Sequence, residues 1–93
     1  MDKKGRVVIT VVGQDRVGIV AGVSTTLAEM KINIIDISQT IMADLFTMIM
    51  LVDISGATLP LDEIKRRLDE TARQLGLQIL AQHEEIFRYM HRV

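Results

Sequence analysis

Residues 13–18 read GQDRVG, two glycines bracketing Gln14, Asp15, Arg16 and Val17, set between the apolar run RVVITVV and the helical pattern IVAGVSTTLAEM. The first turn of a helix leaves backbone N–H groups without intrahelical acceptors at the positive end of the helix dipole, an arrangement that suits a carboxylate. Glycine permits close approach to that backbone: Gly13 suits a turn, Gly18 removes a Cβ from the first helical turn, and Gly22 keeps the same face low one turn on. Asp15 adds an acceptor that could meet an ammonium. A carboxylate held by backbone and an ammonium held by a side chain together describe an amino acid. Asp15 has a second reading as a helix N-cap, and the glycines a second reading as packing residues. The residue types alone leave both readings open.

Other chemistry-bearing residues carry less. His83, Glu84 and Glu85 are adjacent, but neighbours on a strand point to opposite faces, so they read as a polar strand end running into a helix start rather than a metal or acid–base cluster. Met42, Met48 and Met50 could be soft metal ligands, yet their spacing is that of core gap-fillers. His91 lies in an Arg-flanked tail, and Ser24, Ser38 and Ser55 sit in helix, strand and turn contexts that need no catalytic explanation. No enzyme activity, metal or cofactor is expected.

The 93 residues, with a formal net charge of −1, make one domain without the basic excess that phosphate neutralisation needs, so no direct nucleic-acid partner is expected. The absence of cysteine excludes disulfides and thiolate chemistry. No run is long enough for a membrane span or a signal-peptide core, and the expected location is the cytoplasm, with no membrane partner.

The elements that must position GQDRVG follow from periodicity. Residues 6–12 are apolar on both faces, with Val7, Ile9 and Val11 on one side and Val8 and Val12 on the other, as in a central strand. Ile19, Val23, Leu27 and Met30 recur at helical spacing over 18–31. Residues 33–43 alternate, placing Ile35, Ile37 and Ile41 on one face of a half-buried edge strand, and a hairpin leads into a two-faced strand carrying Phe46, Met48, Met50 and Val52. Pro60 suits a first helical turn and Gly76 a helix end. Between them Leu61, Ile64, Leu68, Ala72 and Leu75 form a stripe, with Asp62/Arg66, Glu63/Arg67 and Asp69/Arg73 as pairs on the wet side. LQILAQH alternates as a last strand, and Ile86, Met90 and Val93 fall at helical spacing in a short C-terminal helix expected to bury them against the domain or a neighbour.

The order β-α-β-β-α-β predicts an α+β, ferredoxin-like sandwich with the first and third strands central. With both helices on one face, Val8, Val12, Ile49 and Leu51 point from the other and call for a second subunit or partner. Base-stacking RNA modules of this layout need aromatics on the central strands, and metallochaperones need paired cysteines; neither is present.

The strand followed by GQDRVGIVAGVSTTLAEMKINIIDISQT resembles the signature of the ACT domain, a regulatory module that typically binds amino acids. The likeness covers the strand-helix-strand half in motif detail and the whole chain in element order. With HEEIFRYMHRV at the end, it extends to a stand-alone, single-domain group related to the ACT domains of the glycine cleavage repressor. The resemblance implies a single ACT domain over 1–93, with a core over 6–85 and a helical tail over 86–93. In amino-acid-binding members a loop residue before the helix and an Asn opening the second strand contact ligand at a subunit interface. The matching positions are Asp15 and Asn33, with Gly18 at the family's glycine, so the implied ligand-binding set is Gly13, Asp15, Arg16, Val17, Gly18, Ile19 and Asn33. Val17 stands where proline is common, and Asp15 where some serine-binding members have Asn; an ionised Asp accepts hydrogen bonds but cannot donate them. Asn33 has an alternative reading as a turn residue.

The resulting expectation is a homodimeric or larger, non-enzymatic regulatory module that senses a small ligand, an amino acid, and passes the signal to a regulated enzyme or transcription regulator. One alternative is a ligand-free oligomerisation or interaction adaptor. Another is acylphosphatase-like phosphate chemistry, of which Arg16 with Asn33 is a partial imitation.

Overall fold

The alternating apolar residues of the first strand predict a covered face, and Val7, Ile9 and Val11 are fully enclosed. The computed structural model describes residues 5–90. These form β1 (Arg6–Gln14), α1 (Ile19–Glu29), β2 (Asn33–Met42), β3 (Leu45–Asp53), α2 (Leu61–Leu75), β4 (Leu77–His83) and α3 (Glu84–Met90). The sheet order is β2-β3-β1-β4, with every neighbouring pair antiparallel. This is the expected ferredoxin-like βαββαβ sandwich with a C-terminal helix, and the strands apolar on both faces are the central ones.

α1 and α2 cover one face of the sheet. Ile19, Val23 and Leu27 from α1 and Ile64, Leu68 and Ala72 from α2 join Phe46, Met48, Met50 and Val52 of β3 in one core. Each such side chain, fully buried, contributes roughly 1.5–3 kcal/mol. Met48 and Met50 thus fill the core, as their spacing predicts, whereas Met42, also expected there, is exposed at the end of the edge strand β2. Gly22 lets the two helices approach, because a Cβ there would lie 2.8 Å from Leu75 Cδ1. Thr26 Oγ1 and Thr71 Oγ1 share a 2.7 Å hydrogen bond across the same seam. α2 begins one residue later than expected, with an extended Pro60 at its N-cap, and ends at Gly76 in the left-handed conformation, φ 69°. On its exposed side Arg66 turns to Glu63 and, at 3.9 Å, to Glu70 rather than to Asp62, while Arg67 keeps the expected partner Glu63 at 3.3 Å.

β2 departs from the expectation of a half-buried edge. A bulge between Ile34 and Asp36 breaks the alternation, so Ile34, not Ile35, shares the helix-side face with Ile37 and Ile41. Ile35, Ile37 and Ile41 are all exposed, because β2 hydrogen-bonds on one side only and the buried stripes of both helices serve the central strands.

α3 folds back over the open face. Its first residue, Glu84, is the buried one, with its carboxylate 3.1 Å from Arg6 and 3.0 Å from Arg88. Further along, Gln82 Nε2 donates to Met90 Sδ at 3.2 Å. Phe87 is half-buried, whereas Ile86 and Met90, expected to bury, are exposed on this chain; Val93 and His91 lie outside the described residues. A helix of under two turns cannot turn one residue stripe inward along its whole length, and here the ion pair at its start sets its rotation. Val8 is only 6% exposed as a result, while Ile49 on the same open face stays uncovered. Among the described residues, no helix is long and apolar enough to cross a membrane.

Candidate functional site

GQDRVG straddles the end of β1. Gly13 and Gln14 are strand residues rather than the expected turn, with Gly13 paired to both Phe46 and Leu77. A Cβ on Gly13 would sit 2.6 Å from Leu77 Cδ2, so this glycine serves close packing between the central strand and β4. The chain leaves the sheet at Asp15, whose backbone N–H donates to the Asp44 carbonyl at 2.7 Å. That bond clips the loop to the two-residue β2–β3 connection, where Ala43 holds a positive φ of 56°.

On the other side Arg16 Nη1 donates to the Leu75 carbonyl at 3.2 Å. A guanidinium there satisfies one of the last carbonyls of α2 and meets the negative end of its dipole. Arg16 is therefore a brace between the loop and α2. Val17 is 99% exposed at the tip of the loop.

Gly18, not Asp15, is the N-cap of α1, with φ 93° and ψ 0°, and no side chain caps the helix. The first intrahelical bond runs from Gly22 N–H to the Gly18 carbonyl at 2.8 Å, so helix geometry leaves the N–H groups of Ile19, Val20 and Ala21 without a carbonyl one turn earlier. Nothing lies within 4 Å of where a Gly18 Cβ would be. The Ile19 side chain is in the core, so only its backbone can face a ligand. Asp15 is exposed and free of a capping role, which leaves its carboxylate for another partner.

Asn33 is not beside this loop. It opens β2 opposite Asp53, which pairs with Arg6 at one end of β1, whereas Asp15 follows Gln14 at the other. Eight residue steps at roughly 3.4 Å separate the two ends by about 27 Å. Hydrogen bonds from the side chain and backbone of Ser55 hold the neighbouring Asp53 carboxyl below its usual range. A phosphate cradle needing Arg16 and Asn33 together is not formed within one chain, and Arg16 is already engaged.

Two concavities frame the sheet. A shallow depression of about 540 Å³ beneath the loop is lined by residues including Val12, Gly13, Gln14 and Leu45. A larger cleft, about 830 Å³, lies between α3 and the open face near Val8 and Leu51, remote from GQDRVG. Neither includes Asp15, Gly18 or Asn33, so the loop is an exposed edge and not a closed pocket on a single chain. No group of three or more His, Cys, Asp or Glu among the described residues is placed to hold a metal ion. His83 ends β4 and Glu84 turns into the ion pair with Arg6 and Arg88.

The ACT domain family model matches residues 5–82, spanning every element that carries the loop. The chain belongs to the ACT domain family. Members are in general regulatory modules that bind small ligands and associate with the enzymes or regulators they serve. This ACT domain is 58% identical over 88 residues to a UPF0237 protein of Methanocaldococcus jannaschii, covering 95% of this chain and 98% of that one. It is similar in structure to an ACT domain protein from Streptococcus pneumoniae, with a TM-score of 0.78 and 39% identity over 88% of this chain and 92% of the other. It also resembles a candidate glycine cleavage system transcriptional repressor, TM-score 0.70 and 28% identity, over 83% of this chain and 44% of that one. The stand-alone, repressor-related group implied by the sequence is thus the right neighbourhood.

Proposed function

We propose that this ACT domain is a non-enzymatic regulatory module that binds an amino acid at an interface between copies of itself in the cytoplasm. The observation that carries the reading is Gly18: a left-handed cap with open space at its Cα, at the head of a helix whose first N–H groups lack acceptors. The backbone of Gly18, Ile19 and Val20 takes the carboxylate, and exposed Asp15, its own backbone clipped to Asp44, takes the ammonium. Gly13 and Arg16 support the loop by packing and bracing, and Val17 reaches to ligand or neighbour. Asn33 completes the site only from a second copy running antiparallel, whose Asn33 end lies beside this loop. The likeness to a candidate repressor of glycine cleavage supports a regulated enzyme or transcription regulator as the downstream partner.

The test is a thermal-shift panel of all twenty amino acids. One or a few should raise the melting temperature, since ligand at a hundred times its dissociation constant stabilises by about 2.7 kcal/mol. A flat panel at millimolar concentration favours the second reading, an adaptor without ligand, for which the exposed Ile35, Ile41 and Met42 of the β2 edge are the specific support.

A further inference from the structure

β4 is an edge of the sheet: among the described residues it pairs with β1 alone. Alternate residues of Leu77–His83 therefore turn backbone N–H and C=O groups away from the sheet, and neither a bulge nor a proline interrupts them. Ile79 and Ala81 face α2, whereas Leu80 points from the open face and is 56% exposed. Where α2 passes this edge, Lys65, Leu68 and Asp69 meet Ile79, Leu80 and Ala81 around a groove of about 180 Å³. That is below the roughly 300 Å³ at which small-molecule pockets begin, and suits one aliphatic side chain.

The rim of the groove carries two opposite charges that are not used by the fold. Lys65 and Asp69 are exposed one turn apart, yet among the described residues neither forms an ion pair, and Asp69 does not take the expected Arg73. Their order along the groove follows from topology. β3 and β4 both run antiparallel to β1, so the crossover helix α2 returns the chain in the opposite direction to β4. Lys65 thus lies toward Ala81 and Asp69 toward Ile79.

We propose that β4 and α2 together dock an extended segment of a partner protein, which joins the sheet as a further strand antiparallel to β4 and reads acid-x-aliphatic-x-base. The aliphatic side chain fills the groove against Leu68 and Ile79, the acid before it meets Lys65, and the base after it meets Asp69. Spacing agrees. Residues two before and two after the seated one lie about 6.8 Å to either side of it on a strand. Lys65 and Asp69, about 6 Å apart on the helix, lie about 3 Å to either side, and a Glu and a Lys side chain span the difference of about 4 Å. β4 of a second copy reads LQILAQH, with no carboxylate, Lys or Arg to answer these charges, so the occupant is a strand of another protein. This surface rests on the reading above only in taking a downstream partner to exist, and needs no amino-acid ligand.

The test is fluorescence anisotropy of the full chain with a labelled, end-capped peptide, Thr-Thr-Glu-Thr-Val-Thr-Lys-Thr-Thr, and with the same peptide carrying its Glu and Lys exchanged. The first should bind about fivefold more tightly, the difference between two exposed ion pairs made and the same two reversed. The preference should invert in the double variant Lys65→Glu, Asp69→Lys. Both positions are exposed on α2 and outside the core, so the variant folds, which its melting curve checks. Amide hydrogen exchange adds the backbone: the peptide should slow exchange within β4 and leave β2 unchanged. No binding at millimolar peptide, equal binding of the two peptides, a preference that does not invert, or protection at β2 instead overturns the proposal. So do β4 amides already protected without peptide in a chain that sediments as an oligomer, because a second copy then holds the edge. In each of those cases the amino-acid panel still decides the ligand reading.

Discussion

Asp15 and Gly18 occupy one short loop and can be separated by experiment because only one of them caps the helix. Gly18 takes that position with φ 93° and no side-chain help. Asp15→Asn should therefore leave stability unchanged while weakening the best amino-acid ligand by one to two powers of ten, the value of a charge-assisted bond of about 1.5–3 kcal/mol. Isothermal titration decides the matter: unchanged affinity means that Asp15 does not hold the ammonium. Gly18→Ala tests the backbone. A left-handed residue with a Cβ costs about 1–2 kcal/mol, so urea unfolding should show a loss of that size even though the surrounding space is open. Much of this loop was legible in the sequence, where two glycines around a charged turn announce backbone near a helix start. The brace from Arg16 to Leu75 was not, because its acceptor is 59 residues away. Nor was the packing role of Gly13 against Leu77.

At the scale of elements, α3 is held by one buried carboxylate. The Glu84 side chain is 4% exposed and is shared by Arg6 and Arg88. Glu84→Gln keeps the volume and removes the charge from a largely buried ion pair, and should lower the free energy of unfolding by about 3 kcal/mol. A loss under about 1 kcal/mol in urea would show that water compensates the pair. α2 gives a contrasting, exposed case. Hydrogen bonds from Arg66, with a smaller share from Arg67, hold the Glu63 carboxyl at about 2 against an ordinary 4.5. A depressed acid stabilises the fold above its unfolded value, and that contribution disappears as pH falls from about 4.5 through about 2. The melting-temperature gap between the parent and Glu63→Gln should be small at neutral pH, as exposed pairs contribute little, and should close by about pH 2. A gap that persists at the acid end would assign it to helix propensity instead.

For the whole molecule, an apolar open face, an exposed edge at β2 and an α3 with its own exposed residues all point to association. Cutting the chain before Glu84 removes both the cover over Val8 and the helix surface, so it should lower the melting temperature and shift the sedimentation mass toward 10 kDa or below. Unchanged melting with unchanged mass would show α3 to be an independent appendage. The sequence by itself determined the element order, the central place of β1 and β3, and the helix stripes, because strand and helix periodicities are written in neighbouring residues and must match one covered face. Only the tertiary structure decided that a bulge at Ile35 turns β2, that Glu84 and not Ile86 is the buried residue of α3, and that Asn33 stands a sheet's length from Asp15. Each of these depends on a partner distant along the chain, a strand register or an ion pair, and local patterning does not encode which distant group will be there.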